Sequence, residues 1–240
     1  MRGRVTGARV LAGATAAGAA AGLGFLARTW FRYGRVGGRF ADPLLDHFMP
    51  VCEVAERHEI RVAAPADVTY AAAMDLDLRR SRVVQAIFRT REVLLGARPA
   101  SGPAPSRSFI EEMRDIGWGV LAEESGRAIV MGAYTQPWHA DVTFHSLPPG
   151  EFAAFSEPGY VKILWTLVAE PRGPGSSIFR TDTRVATTDA EARRRFRPYW
   201  TVFAAGILLI RHRALALVKA EAERRRAAAA RARAFSSSAP

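Results

Sequence analysis

The chain has 240 residues, 49% of them hydrophobic, enough for one substantial domain with extra segments at its ends. Its single cysteine, Cys52, excludes an internal disulfide and a cysteine-rich zinc site. The net charge of +11 is concentrated at the ends: residues 1–39 carry seven arginines and no acid, and residues 211–240 carry eight basic residues against Glu221 and Glu223. A folded nucleic-acid binder carries its basic patch on the domain itself, so no nucleic-acid partner is expected. Basic ends suit an anionic membrane surface, although an Ala/Arg-rich composition is the plainer source of the same charge.

Residues 10–27 (VLAGATAAGAAAGLGFLA) run without charge for eighteen positions, just reaching transmembrane length. Arginines flank the run on both sides, and Trp30 and Tyr33 lie where interfacial aromatics belong. Gly18 and Gly22 have the spacing that lets helices approach in lipid. The segment is read first as a membrane anchor, although its strongly apolar residues are only Val10, Leu11, Leu23, Phe25 and Leu26. A cleaved signal peptide with a site at Ala19–Ala21 comes second, and an Ala-rich leader third. A slight excess of charge after the segment favours a cytoplasmic domain; soluble cytoplasmic and exported forms are the alternatives.

Residues 34–55, with Pro43 and Pro50, read as a surface linker. Glu59 to Ala63 alternates and stops at Pro65, which marks a strand. Pro65 and Asp67 suit a helix start, and helical spacing continues through Val83 to Leu95. Gly96 to Pro105 reads as a flexible loop and Ser108 to Ile116 as a short helix. Strands are expected at Trp118–Glu123, Ala128–Thr135 and Trp138–Phe144. Tyr160 to Val185 then supplies two long strands joined at Pro171 to Gly175. A long helix follows, with a T-x-x-E capping box at Thr188 and Glu191. Its apolar stripe is Phe196, Trp200, Phe203, Ile207, Ile210, Ala214 and Leu217. Pro198 is expected to kink or restart it. The uncharged run Tyr199 to Ile210 is too short to span a bilayer and reads as a buried helix.

The order of elements resembles the START-like superfamily, also called SRPBCC or helix-grip proteins. The resemblance covers roughly residues 56–222 and is carried by "HEIRVAAPADVTYAAAMDLDL", "GRAIVMGAYT" and "VKILWTLVAEPRGPGSSIFRTDTRV". It implies an α+β fold in which a curved antiparallel sheet wraps a long C-terminal helix. The N-terminal hydrophobic helix would lie outside the domain. The organisation expected is a basic, hydrophobic segment at 1–39, a linker at 40–55, the domain at 56–222 and an Arg/Ala-rich disordered tail at 223–240.

Members of that superfamily include lipid carriers and polyketide cyclases, so the resemblance implies an apolar internal cavity. The residues expected to line it are Trp118, Tyr134, Trp138, Phe144, Trp165, Thr181, Thr183, Trp200 and Phe203. The bland alternative is a packed core, in which β-branched threonines merely suit a strand. In the hairpin, Thr181 and Thr183 are expected to face inward and Arg180, Asp182 and Arg184 to face water.

No metal site is expected. His139 and His145 would be about 20 Å apart on one strand, too far for one ion. No cofactor motif is present either: neither a P-loop nor a G-x-G-x-x-G follows a strand. The first functional reading is a carrier of a hydrophobic small molecule such as a lipid, isoprenoid or polyketide-like compound. The second is a polyketide cyclase/dehydratase-like enzyme using Tyr134, Glu123 or His139. The third is a membrane-associated interaction module with a filled core. Oligomeric state is not readable from these patterns.

Overall fold

The computed structural model describes residues 3–78, 81–96 and 108–237. A helix α1 (Gly3–Arg32) leads to a short helix α2 (Pro43–Phe48) and a strand β1 (Val54–Val62). Helices α3 (Ala66–Met74), α4 (Arg82–Leu95) and α5 (Phe109–Asp115) follow. The strands β2 (Gly119–Glu124), β3 (Ala128–Thr135) and β4 (Phe144–His145) precede a single-turn α6 (Pro149–Phe152). The hairpin β5 (Val161–Gly173) and β6 (Ser176–Thr187) leads into α7 (Ala190–Ser237).

The strands form one antiparallel sheet in the order β1-β6-β5-β3-β2, with β4 added to the end of β3. The first and last strands are therefore neighbours, and β1 is an edge. One face packs on α7, with α3, α4 and α5 closing that core. Phe179, Trp165, Met131 and Ile129 from the sheet meet Leu215, Val218 and Ala222 of α7 there. A second cluster at the start of α7 joins Val54, Val161 and Val185 to Phe196, Trp200 and Ala204. This is the α+β helix-grip arrangement that the order of elements implied.

The opposite face of the sheet is covered too, which explains why β5 is buried on both sides from Leu164 to Ala169. Leu45, Phe48 and Met49 pack there with Leu121, Val130, Phe152 and Leu164. The segment read as a surface linker is thus part of the packing. Pro43 sits in the first turn of α2, and the Asp42 side chain accepts from Leu44 N at 3.2 Å and Leu45 N at 3.3 Å.

Charged residues fasten this layer. Arg184, expected in water, is only 4% exposed. It donates to Asp46 Oδ1 at 2.7 Å, Met49 O at 2.8 Å and Phe40 O at 2.7 Å. Asp182, also expected in water, is buried between Arg57 Nε at 2.5 Å and Arg180 Nε at 3.0 Å. Buried charges persist only when paired in this way. Alternation alone could not reveal that a second layer covers this face.

Other expectations change locally. The strand read at Trp138–Phe144 shrinks to β4, because Pro137 cannot donate to a ladder and Thr135 Oγ1 donates instead to Thr143 O at 2.7 Å. The cap of α7 is Asp189, whose Oδ1 accepts from Ala192 N at 2.6 Å; the Thr188 hydroxyl donates to Tyr160 O at 2.9 Å. Helix α7 runs unbroken through Pro198, which is exposed along with Arg194, so water can serve the carbonyl the proline leaves unbonded. The loop read at Gly96 to Pro105 lies outside the described residues beyond Gly96.

Phe152 is among the largest fully buried side chains and anchors the outer layer. Phe152→Ala is expected to lower stability by about 3–5 kcal/mol in urea unfolding, the usual cost of emptying a packed aromatic site. A loss below about 1 kcal/mol would mean that the outer layer does not close the core.

Candidate functional site

The residues expected to line one cavity fall in several places. Trp118, Phe144 and Trp165 pack on one another in the inner core, with ring centroids 5.1 Å apart for Trp118–Phe144 and 5.9 Å for Trp118–Trp165. Trp138 packs against the cluster of Phe196 and Trp200. Phe203 is half-buried against Tyr199 at 4.8 Å. Tyr134 lies on the opposite face, because Ile129, Met131 and Ala133 take the inner face of β3. Its ring packs on Phe155 at 4.2 Å and His145 at 5.0 Å. Glu123 and His139 are exposed. None of the named acid/base candidates therefore faces the helix side of the sheet from a buried position.

Thr181 and Thr183 do face α7. They share the inner face with Phe179 and Val185 and are both buried. The Thr183 hydroxyl donates to the neighbouring Asp182 carbonyl at 2.9 Å. Their partners across the β1–β6 ladder explain why threonines stand here: Thr181 pairs with His58 and Thr183 with Glu56. The middle of this inner face is a polar band set between apolar ends at Val54 and Ile60.

Across the band, α7 presents Arg211 and His212. The His58 and His212 rings meet edge to face at 4.7 Å, and His58 Nε2 lies 3.9 Å from Glu56 Oε2. His212 Nδ1 is held 2.8 Å from Leu208 O. His58 Nε2 and Arg211 Nη1 are buried and have no hydrogen-bond partner among the described residues. Burial first, then the nearby Arg211 and His212, pushes the His58 imidazole down to about 4. Burial also pulls Arg211 down to about 10, opposed by Glu56 and Asp182. His58 is thus neutral at pH 7.

A cavity of ≈ 330 Å³ opens beside this band, between the last turns of α1, the start of β1 and α7. Its apolar wall is Phe25, Val54, Trp200, Ala204 and Leu208; Arg28, Arg32 and Arg35 stand on the α1 side, and Glu53 and Glu56 on the β1 side. Phe25, Arg28, Thr29 and Arg32 recur at helical spacing, so one face of α1 supplies them. Trp200 alone of the sequence-predicted residues lines this cavity.

Helix α1 is held in place here rather than standing outside the domain. Arg197 Nη2 donates to Trp30 O at 2.9 Å, and its guanidinium lies 4.0 Å from the Trp30 ring centroid. The Tyr33 and Phe196 rings pack at 6.1 Å, and burial pushes the Tyr33 hydroxyl up. Gly34 N donates to Glu53 O at 2.9 Å; its φ of 76° and the closeness of Arg193 favour glycine at that turn. Glu53 in turn accepts from Thr187 N at 2.9 Å and Thr187 Oγ1 at 2.8 Å.

Sequence reasoning missed Glu56, His58, Arg211 and the α1 wall. The signal for the first two is present: Val54, Glu56, His58 and Ile60 alternate, so the strand begins ahead of the Glu59 start expected from the run to Pro65. Among the described residues no cluster of three or more His, Cys, Asp or Glu side chains is placed to hold a metal ion.

No protein-family model matches the chain, and no curated protein matches it in sequence. Among solved structures, a point mutant of norcoclaurine synthase from Thalictrum flavum, in complex with a transition state analogue, is similar at 13% identity with a TM-score of 0.35. The match covers 72% of this chain and 96% of that one. A conserved protein from Geobacillus kaustophilus matches at 9% identity and TM-score 0.30, over 71% of this chain and 96% of its own. The Zhui aromatase/cyclase from Streptomyces sp. R1128 matches at 15% identity and TM-score 0.24, over 72% and 94%. The helix-grip arrangement of this chain rests on its own strand order and last helix.

The depressed His58 value makes stability depend on pH. The unfolded chain takes up this proton near pH 6.5, the folded chain only near 4. Stability is therefore full above pH 6.5 and falls as pH drops toward 4. In His58→Gln the fall between pH 7 and 4.5 is expected to shrink by roughly 2–3 kcal/mol, at about 1.4 kcal/mol per pH unit. Denaturant unfolding at the two pH values measures it, and equal falls in both chains would contradict the assignment.

Proposed function

We propose that the protein binds an amphiphilic small molecule, with an apolar body and an anionic head, in the cavity between α1, β1 and α7. The observation that carries this reading is the cavity itself. Its apolar wall of Phe25, Val54, Trp200, Ala204 and Leu208 can take a hydrocarbon chain or ring system, and Arg28, Arg32 and Arg35 can take a carboxylate or phosphate. At ≈ 330 Å³ it suits one small ligand. The protein acts in this reading as a carrier or sensor held at a membrane by residues 10–27. The same helix then runs from the anchor directly into the cavity wall.

A second reading, acid/base catalysis on such a ligand, is favoured by one observation. His58 is half-buried, neutral at pH 7 and 3.9 Å from the Glu56 carboxylate, and Glu56 also lines the cavity. A neutral imidazole can accept a substrate proton that comes within reach, though its lowered value makes it a weak base until a ligand changes its surroundings. The binding reading is preferred because His58 itself is not among the cavity-lining residues.

The binding reading is tested with a dansyl-labelled fatty acid and its methyl ester, titrated into the full chain. The acid is expected to bind, and Arg28→Gln/Arg32→Gln to weaken it at least about tenfold while leaving the ester unchanged, as loss of a charge-assisted contact requires. Trp200→Ala is expected to weaken both probes. No binding of either probe, or equal affinity of the arginine variant for the acid, would overturn it.

A further inference from the structure

Helix α7 is apolar on its outward side as well as its inward one. Its most apolar 18-residue stretch is long and apolar enough to cross a membrane by length and composition, yet only 22% of it is buried. Phe196, Trp200, Ala204, Leu215 and Val218 face the sheet. On the other side Pro198, Val202, Ala205 and Leu209 form an exposed row at steps of three and four, Val202 at 55% and Leu209 at 49% exposure. The run Tyr199 to Ile210 thus buries one side only. A core helix of this composition would be covered all round.

The row has neighbours of the same kind. The end of α1 lies alongside α7, tied by Arg197 to Trp30, and exposes Leu23 at 68% and Phe31 at 62%. On α4, packed where Ile87 meets Gly206, Val83 is exposed. Such a grouping of large exposed apolar side chains marks an interaction surface.

Charge decides the occupant. Between Glu191 and Glu221 helix α7 has no acid, and no acid precedes Asp42. Exposed arginines here include Arg28 and Arg32 at the end of α1, Arg35 just after it, and Arg194, Arg195 and Arg213 on α7, with Glu191 pairing Arg194 and Arg195 at the start of α7. Exposed acids sit on other elements: Glu59 on β1, Asp67 and Asp75 on and just after α3, Glu111 and Asp115 on α5, and Glu123, Glu124, Asp141, Glu151 and Glu157 from β2 to the chain before β5; Asp75 pairs with Arg225, farther along α7 than the row. A second copy of the chain would set arginines against arginines. An anionic bilayer surface offers apolar depth and opposite charge together.

We infer that the outward row Pro198–Val202–Ala205–Leu209 of α7, with the end of α1, lies in the surface of an anionic bilayer. The row is about 17 Å long at helical rise, enough to lie along the headgroup–acyl boundary. The cavity then opens at headgroup level, where an amphiphile can pass between bilayer and protein. This contact is independent of residues 10–27 acting as a span, and of any ligand.

The test uses the full chain with Cys52→Ser, carrying Val202→Cys or Leu209→Cys labelled with a polarity-sensitive fluorophore. Arg127→Cys, in the exposed β2–β3 turn, is the control. With vesicles of phosphatidylcholine and phosphatidylglycerol, labels at 202 and 209 are expected to shift to shorter wavelength. Their quenching by acrylamide should fall at least about threefold, as burial of exposed positions in lipid requires. The label at 127 should not change, and phosphatidylcholine alone should give little effect.

Several results would overturn the inference. One is labels at 202 and 209 that behave like the control, whether or not the chain floats with the vesicles. Another is an equal effect in neutral vesicles. A third is a concentration-dependent shift without lipid, which would assign the row to a second copy. Fatty-acid binding measured without vesicles is separate from all of these, so failure of this surface and failure of the cavity are distinguishable.

Discussion

The pairing of β1 with β6 is the constraint on which the rest of the structure depends. Its register runs from Val54 opposite Val185 to Val62 opposite Ser177. It joins the start of the domain to the strand that feeds α7, and so fixes where that helix lies. Because side chains alternate across a strand, the same register sets Glu56 and His58 beside Thr183 and Thr181 on the inner face. A slip of β1 by one residue would turn Glu56 and His58 outward and bring Arg57 toward α7, while Thr181 and Thr183 stay inward because β5 holds β6. The outer clasp opposes such a slip: Arg57 and Arg180 both hold Asp182, while Arg184 is fixed to the 40–49 segment.

The two faces of this ladder therefore do different work. Outside, paired charges are buried under α2 and bind the chain preceding β1 to the sheet. Inside, apolar clusters at both ends of α7 leave a polar middle where Arg211 and His58 keep buried atoms without hydrogen-bond partners. Unmatched buried polar groups cost free energy, so their grouping next to an open cavity points to function more than to stability. Helix α1 completes that cavity, and the same helix carries the apolar run proposed as an anchor.

Much of the fold was legible because its signals are periodic. The strand Ala128–Thr135, the final hairpin and the apolar stripe of α7 follow from spacing, and the order of elements implied the helix-grip arrangement. What was not legible depends on layers. The sequence of β6 alternates as a half-wet strand would, and only the presence of α2 makes Asp182 and Arg184 buried. Nothing in the alternation of β3 says which side meets α7, so it does not show that Tyr134 lies on the face opposite Ile129, Met131 and Ala133. The cavity was legible only at Trp200, since its walls come from helices and a strand far apart in the chain. Alternation is enough to put Thr181 and Thr183 on the inner face, but their meaning lies in His58 and Glu56, on a strand that begins at Val54.

The central claim is that an amphiphile with an anionic head occupies the space between α1, β1 and α7. A crystal structure of the full chain with a saturated fatty acid bound tests it most directly. The account predicts the carboxylate against Arg28 and Arg32 and the hydrocarbon chain along Trp200, Ala204 and Leu208. A fatty acid lodged instead among Trp118, Phe144 and Trp165, or on the outer face beside Tyr134, would contradict it.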